Sequence, residues 1–399
     1  MEELISYQNN LLHQVESRWR RYLYPELTGE RRLLGLKGLR GVGKTTMFLQ
    51  YLAFDYAERQ KGLYVTADHP WFYNHTLFDL AADWYKYGGQ LLLIDEVHKY
   101  PGWSRELKLI YDGHPDLKVM FTSSSALDLY RGESDLSRRL VTRTLHGLSF
   151  REYLELKHGY SFRKLSLDEI LKHHSGITPE ITKEIKILPL FGQYLQEGYF
   201  PFSGDADDEP LFPRLLRIIN TVLESDLAAI EGYDAGHIEK IKKLLGVVAE
   251  SAPFEPNISK IAGRLQLGRN TVNFYLKNLH DACILHLLNK PGKGITKHQK
   301  PSKIYFENPV FTYAFQGSPN IGTVRETFFL NQLHNAGHRL HLSPDKGDFL
   351  VNARYLFEVG GKNKDDSQIR NMQEAYLALD NIEHGFANTV PLWLFGFLY

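Results

Sequence analysis

The stretch RRLLGLKGLRGVGKTTMFLQYLA, residues 31–53, decides the fold of the first part of the chain. A short apolar run passes into a glycine-rich turn and then takes on helical spacing at Met47, Phe48, Tyr51 and Leu52, which reads as strand, loop, helix. Inside the turn, Gly38, Gly43, Lys44 and Thr45 satisfy the spacing GxxxxGK(S/T), and Gly41 adds a third flexible position. Glycines let backbone amides face inward around a β-phosphate, and the following helix offers its positive end to the same charge. The loop Gly38, Leu39, Arg40, Gly41, Val42, Gly43, Lys44, Thr45 and Thr46 is therefore expected to hold a nucleotide. Lys44 is expected to reach the β and γ oxygens, and Thr45 to give a hydroxyl to Mg2+, an ion that prefers oxygen ligands. ATP, with ADP as its product, is the implied ligand.

Working outward, LLLIDEVHKY (91–100) sets four apolar residues before two acids, the pattern of a buried parallel strand that ends in carboxylates. Asp95 is expected to hold Mg2+ through its water shell, and Glu96 to polarise the water that attacks the γ-phosphate. The spacing from Lys44 leaves room for a helix, a further strand near LYVTAD (63–68) and a second helix. A third strand, LKVMFTSSS (117–125), ends in Ser123, Ser124 and Ser125. One of these, Ser124 foremost, either touches the γ-phosphate or orients the water, or serves only as a turn former.

The order of strands, the Asp-Glu pair and the polar end of the third strand resemble an AAA+ ATPase. The segment LSRRLVTRTLHGLSFREYLEL (136–156) is similar to a stretch in a bacterial and archaeal AAA+ group whose ATPase is followed by a domain of unknown function. The resemblance implies that Arg139, with Arg138 as the near alternative, spreads positive charge over the transferring phosphoryl group. Such an arginine acts either within its own chain or on a neighbour's nucleotide, which leaves a homo-oligomer open; a surface pair with Glu133 or Asp135 is the plain alternative. YLQEGYFPF (194–202) and ESDL (224–227) are also similar to the group and read as landmarks of its helical part.

With 399 residues, the chain is too long for one ordinary core. Its 47 basic and 47 acidic side chains cancel, so attraction to nucleic acid must come from local patches. One cysteine, Cys283, excludes an internal disulfide, and the N-terminus lacks the basic start and apolar run of a secretory signal. No uncharged apolar run approaches a bilayer's width. A cytoplasmic protein without a membrane partner is the expectation.

Residues 151–235 read as helices with proline and glycine punctuation, suited to a helical lid and linker. From 237, HIEKIKKLLGVVAESA and then ISKIAGRLQLGRNTVNFYLKNLHDACILHLLNK read as helix, helix, turn, helix, strand, which looks like a winged helix over 236–308. Leu267 and Gly268 set the turn; Arg269, Asn270, Asn273 and Lys277 are expected outward, with Val272, Leu276 and Leu279 inward. Such a helix suits a major groove. Between 256 and 306 nine basic residues face one acid, Asp281, and several lie in the loop PGKGITKHQKP, a place for phosphate contacts. Packing against the ATPase is the other use of the same element.

Residues 309–399 change character. RETFFLNQLHNAGHRL reads as a helix, HLSPDKGDFLVNARYLFEVGGKNK as two strands and a turn, and IRNMQEAYLALDN as another helix. Glu326 on the helix, Asp348 at one strand start and Glu358 on the next could hold Mg2+ between them, with Lys362 nearby to stabilise phosphate charge. This resembles restriction-endonuclease-like nucleases, but the usual (D/E)xK lysine position is Gly360. Lys362 or Lys364 fills the place by a bulge, or the fold is inactive. The fold class read from sequence is thus α/β: a P-loop parallel-sheet ATPase domain (1–150), a helical lid, a winged helix and a small nuclease-like domain. The function read with it is ATP hydrolysis coupled to DNA or RNA; the alternative is a nucleotide-dependent switch or scaffold for a protein partner.

Overall fold

Apolar runs of four to six residues, too short for stable helices, alternate with amphipathic stretches in the first third of the chain, and that alternation builds a parallel sheet. The computed structural model describes residues 1–16, 19–123, 136, 138–204, 209–227, 233–250, 256–292, 301–367, 369–370 and 372–399. The chain divides into two compact units, one of residues 1–146 with 224–232, the other of 147–223 with 233–399.

In the first unit, strands β1 (Leu33–Lys37), β2 (Gly62–Thr66), β3 (Leu91–Asp95), β4 (Lys118–Ser123) and β5 (Val141–Thr144) form a sheet in the order β2-β3-β4-β1-β5. Every pairing is parallel. Helices α1 (Glu2–Leu12), α2 (Lys44–Gln50), α3 (Leu77–Lys86) and α4 (Trp103–Gly113) belong to the same unit. Thr76 starts α3 by accepting the N–H of Asp79, whose carboxylate returns the bond. The core joins Leu63, Val65, Leu92, Ile94, Val119 and Phe121 of the strands to Leu80, Trp84, Leu107 and Ile110 of the helices. Lys37 pairs with Ser123 and Ile94 with Phe121, so the C-terminal ends of β1, β3 and β4 lie at one edge of the sheet.

The second unit begins with helices α5 (Phe150–His158), α6 (Leu167–Glu184), α7 (Ile187–Glu197), α8 (Leu211–Thr221) and α9 (Ala235–Glu250). Next come α10 (Ile258–Leu265), α11 (Arg269–Asp281) and an antiparallel hairpin of β6 (Leu285–Leu288) with β7 (Lys303–Phe306). Val272, Tyr275, Leu276 and Leu279 bury the inner face of α11. The turn before it is not set as the sequence suggested. Gln266 takes the left-handed conformation at φ 53°, whereas Gly268 sits at φ −71°, where any residue is at ease.

After α12 (Pro309–Gln316) and α13 (Ile321–Asn335), strands β8 (Leu340–Leu342), β9 (Phe349–Val351), β10 (Tyr355–Gly361), β11 (Ala375–Asp380) and β12 (Thr389–Pro391) make a mixed sheet ordered β12-β11-β10-β9-β8. Two sequence expectations fail here. Residues 341–364 belong to three strands rather than two, and 369–381 holds β11 instead of a helix. Ala375, Ala378 and Leu379 have helical spacing, but the segment pairs in parallel with both β10 and β12, so the sheet satisfies its backbone on two sides. In this unit's core, Glu307 is 3% exposed and accepts from Tyr199 at 2.7 Å, Asn308 at 2.8 Å and Asn331 at 3.0 Å. Burial pushes its carboxyl up to about 7.

Candidate functional site: the phosphate loop and two carboxylate clusters

The loop between β1 and α2 is shaped by glycines. A Cβ at Gly38 would stand 2.3 Å from the carbonyl oxygen of Leu145, and Gly43 caps α2 at φ 96°. Lys44, 5% exposed, donates from Nζ to the carbonyls of Gly38 at 2.6 Å and Leu39 at 3.0 Å. Arg21, 4% exposed, holds the loop from behind by donating to Val42 O and, at 2.7 Å, to His146 O.

Asp95 ends β3 facing this loop. Thr45 Oγ1 donates to its Oδ2 at 2.6 Å, Tyr64 Oη donates to the same oxygen at 2.8 Å, and Thr122 Oγ1 donates to Oδ1. Burial first, then the charge of Asp95, raises the Tyr64 hydroxyl above its ordinary range, so it remains a donor. Glu96 lies in the left-handed region at φ 53°, an uncommon place for a residue with a Cβ and one that gathers at working sites. Its N–H donates to Thr122 Oγ1 at 3.0 Å. Its Oε2 is 3.3 Å from Arg40 Nη2 and 3.5 Å from His98 Nε2, while His98 Nδ1 lies 3.3 Å from Ser123 Oγ.

The structure thus brings Thr45, Asp95, Glu96 and Arg40 together, with Lys44 on the loop. Ser124 lies outside the described residues, as do Ser125, Glu133 and Asp135. The polar contacts at the end of β4 come from Thr122 and Ser123. Arg139 makes a forked pair with Asp112, at 2.8 and 3.1 Å, and Arg138 is exposed. Sequence reading missed Arg21, Tyr64, Thr122 and His98. Of these, only Thr122 carried a local signal, as a polar residue at the end of an apolar strand.

A second carboxylate cluster lies in the other unit. Asp348 precedes β9 and accepts the N–H of Val359 at 2.8 Å; Glu358, on β10, is 1% exposed, with Oε2 buried and without a hydrogen-bond partner among the described residues. Burial, then Glu326 and Glu358, push Asp348 up to about 6 against the pull of the Val359 amide. Glu326 on α13 accepts from Lys303 Nζ at 2.7 Å and from the Tyr305 hydroxyl, both on β7. Lys364, not Lys362, pairs with Glu358 Oε1, and Lys362 is exposed in the turn after β10. The reason is steric. A Cβ at Gly360 would be 2.7 Å from Cβ and Cγ of Lys364, so the lysine chain crosses the strand where a side chain at 360 would stand. Among the described residues, no three His, Cys, Asp or Glu side chains share a metal-holding arrangement.

On α11, Arg269, Asn270 and Lys277 are exposed, and Lys277 is engaged by Asp281. Asn273, expected outward, is only partly exposed because the helix is rotated; Phe274 takes the outward place at 48% exposure. Lys293, Lys297 and Lys300 lie outside the described residues. No helix of the described residues is long and apolar enough to cross a membrane.

Comparison with known proteins bears on the first cluster. Residues 30–154 match the AAA domain family, and residues 188–318 match a domain of unknown function. The chain is 25% identical over 390 residues to the uncharacterized protein MJ1637 of Methanocaldococcus jannaschii, covering 88% of this chain and 80% of that one. Among solved structures, it is similar to the Walker-type ATPase PABY2304 of Pyrococcus abyssi at 13% identity and a TM-score of 0.42, covering 76% of this chain and 98% of that chain. It is also similar to AMPPCP-bound DnaA from Aquifex aeolicus at 16% identity and a TM-score of 0.26, covering 70% and 88%. The match to the AAA domain family over residues 30–154 coincides with the parallel sheet, the phosphate loop and the acid-ended strand.

Proposed function

We propose that this protein hydrolyses ATP at the phosphate loop and couples nucleotide state to nucleic-acid binding or processing by its second unit. The observation that carries the first half is the 2.6 Å contact between Thr45 Oγ1 and Asp95 Oδ2, which sets two hard oxygens side by side at the loop. That donor set fits Mg2+, which Thr45 would hold directly and Asp95 through water. When bound, the ion neutralises charge across the β and γ oxygens. Lys44 stabilises the same oxygens, and Glu96 orients the attacking water and takes its proton; Arg139 and Arg138 lie before β5, at the sheet edge away from the loop, so the arginine's role is on a neighbouring copy's nucleotide. The experiment is calorimetry and turnover on two variants. Lys44→Ala abolishes hydrolysis, and Glu96→Gln keeps ATP binding while blocking turnover; binding unchanged in Lys44→Ala removes the assignment.

For the second half, α10, α11 and the β6-β7 hairpin have the element order of a winged helix, and we read the exposed Arg269, Asn270, Phe274 and Lys277 as its nucleic-acid face. Asp348, Glu326 and Glu358 make a cleavage site of the restriction-endonuclease kind, with Lys364 in the lysine's role. The buried oxygen of Glu358 fits a divalent cation held with Asp348. In this reading the chain works as four parts, divided at 150, 235 and 308. The exposed, solvated Lys362 and the glycine at 360 favour a second reading, a nucleotide-dependent switch whose last domain cuts nothing. ATP turnover with and without DNA and RNA separates the two: stimulation that weakens with salt supports phosphate contacts. Nuclease assays in Mg2+ or Mn2+, with Asp348→Ala as control, decide cleavage.

A further inference from the structure

We infer that Arg40 is the residue that distinguishes ATP from ADP, by exchanging the Glu96 carboxylate for the γ-phosphate; this rests on the P-loop reading above. Two cations lie on the loop from Gly38 to Lys44. Lys44 is engaged with the carbonyls of Gly38 and Leu39, and Arg40 reaches across to Glu96.

The geometry allows the exchange at low cost. The side chains of Arg40 and Glu96 are 26% and 21% exposed, so their 3.3 Å pair is neither locked in the core nor strongly held. Glu96 is fixed independently of Arg40, because Thr122 holds its backbone and His98, whose side chain is 3% exposed, faces the same Oε2 at 3.5 Å. Withdrawal of Arg40 therefore leaves the carboxylate in place with a partner. If Glu96 orients the attacking water, its carboxylate stands next to the γ-phosphate, and a guanidinium touching that carboxylate is within one contact of the same phosphate.

Charge then decides the direction. A terminal phosphate carries more negative charge than one carboxylate and offers several oxygens to the planar fork of arginine. ADP has no such group, so with ADP the Arg40–Glu96 pair persists. Glu96 is released to act on water only when there is a γ-phosphate to attack, which guards the site against idle polarisation of water.

A double-mutant cycle on the full chain tests this. The affinities of wild type, R40Q, E96Q and the double variant are measured calorimetrically for MgADP and for the magnesium complex of the β,γ-imido analogue of ATP. R40Q is expected to weaken the analogue about tenfold, the scale of one charge-assisted hydrogen bond, and MgADP by less than about threefold. E96Q tightens the analogue, and this gain disappears when R40Q is also present. Equal losses for both nucleotides, or an additive cycle for the analogue, overturn the inference while leaving the P-loop reading intact. A wild-type chain that binds neither nucleotide overturns both.

Discussion

The hydroxyl of Thr122 accepts the backbone N–H of Glu96 at 3.0 Å and itself donates to Asp95. One side chain on β4 thus fixes the two acids that end β3, including a glutamate in an unfavourable backbone conformation. Thr122→Val keeps the shape but removes both bonds. It is expected to lower ATP turnover about tenfold or more, because small misplacements of a reacting group are costly, with nucleotide affinity changed little. Turnover equal to wild type would show that Glu96 is placed by other means.

Asp348 predicts a pH dependence opposite to that of most aspartates. Its folded-state carboxyl titrates at about 6 against an ordinary 3.8, so the folded chain binds this proton more tightly than the unfolded chain. Stability from this group therefore falls as pH rises through that window. Asp348→Asn, whose amide oxygen can still accept from Val359, should be the more stable protein above pH 6. Its advantage should shrink as pH falls and be gone at 3.8. Urea unfolding across this range provides the check, and a constant difference at every pH contradicts it.

Lys364 and Lys362 are two residues apart but should behave differently. Removing Lys364 leaves Glu358, 1% exposed, without its cation, and breaking a pair of this kind costs a few kcal/mol, here about 2 because the lysine is partly in water. Lys362→Ala should stay within about 0.5 kcal/mol, as exposed substitutions do. Denaturant midpoints measure both. If the cluster cleaves nucleic acid, Lys364→Ala abolishes cutting and Lys362→Ala leaves it.

Arg269 and Lys277 provide the test of the α11 face. Arg269→Ala should reduce the salt slope of nucleic-acid binding by about one. Lys277→Ala should reduce it by less, since Asp281 already engages that ammonium group. Slopes from titrations at several salt concentrations distinguish these outcomes, and a slope unmoved by Arg269→Ala places the contacts elsewhere.

The phosphate loop and the acids at 95 and 96 were legible because their chemistry is written in contiguous residues. Thr122, Tyr64 and Arg21 were not, because they meet the site only through the strand order β2-β3-β4-β1 and a long return of the chain. The strand at 375–380 reads as a helix from sequence for a related reason: alanine and leucine carry helical spacing locally, and only pairing with β10 and β12 overrides it. The paired glycines at 360 and 361 flagged the right place in the second cluster, but the choice between Lys362 and Lys364 depended on how the chain turns back over the strand.

That turn has a consequence for divergence. The chain of Lys364, which pairs with Glu358, fills the space that a side chain at 360 would take. A lysine introduced at 360 alone would meet the Lys364 chain, and loss of Lys364 alone would leave the acid without its cation, so a change at either position is felt at the other.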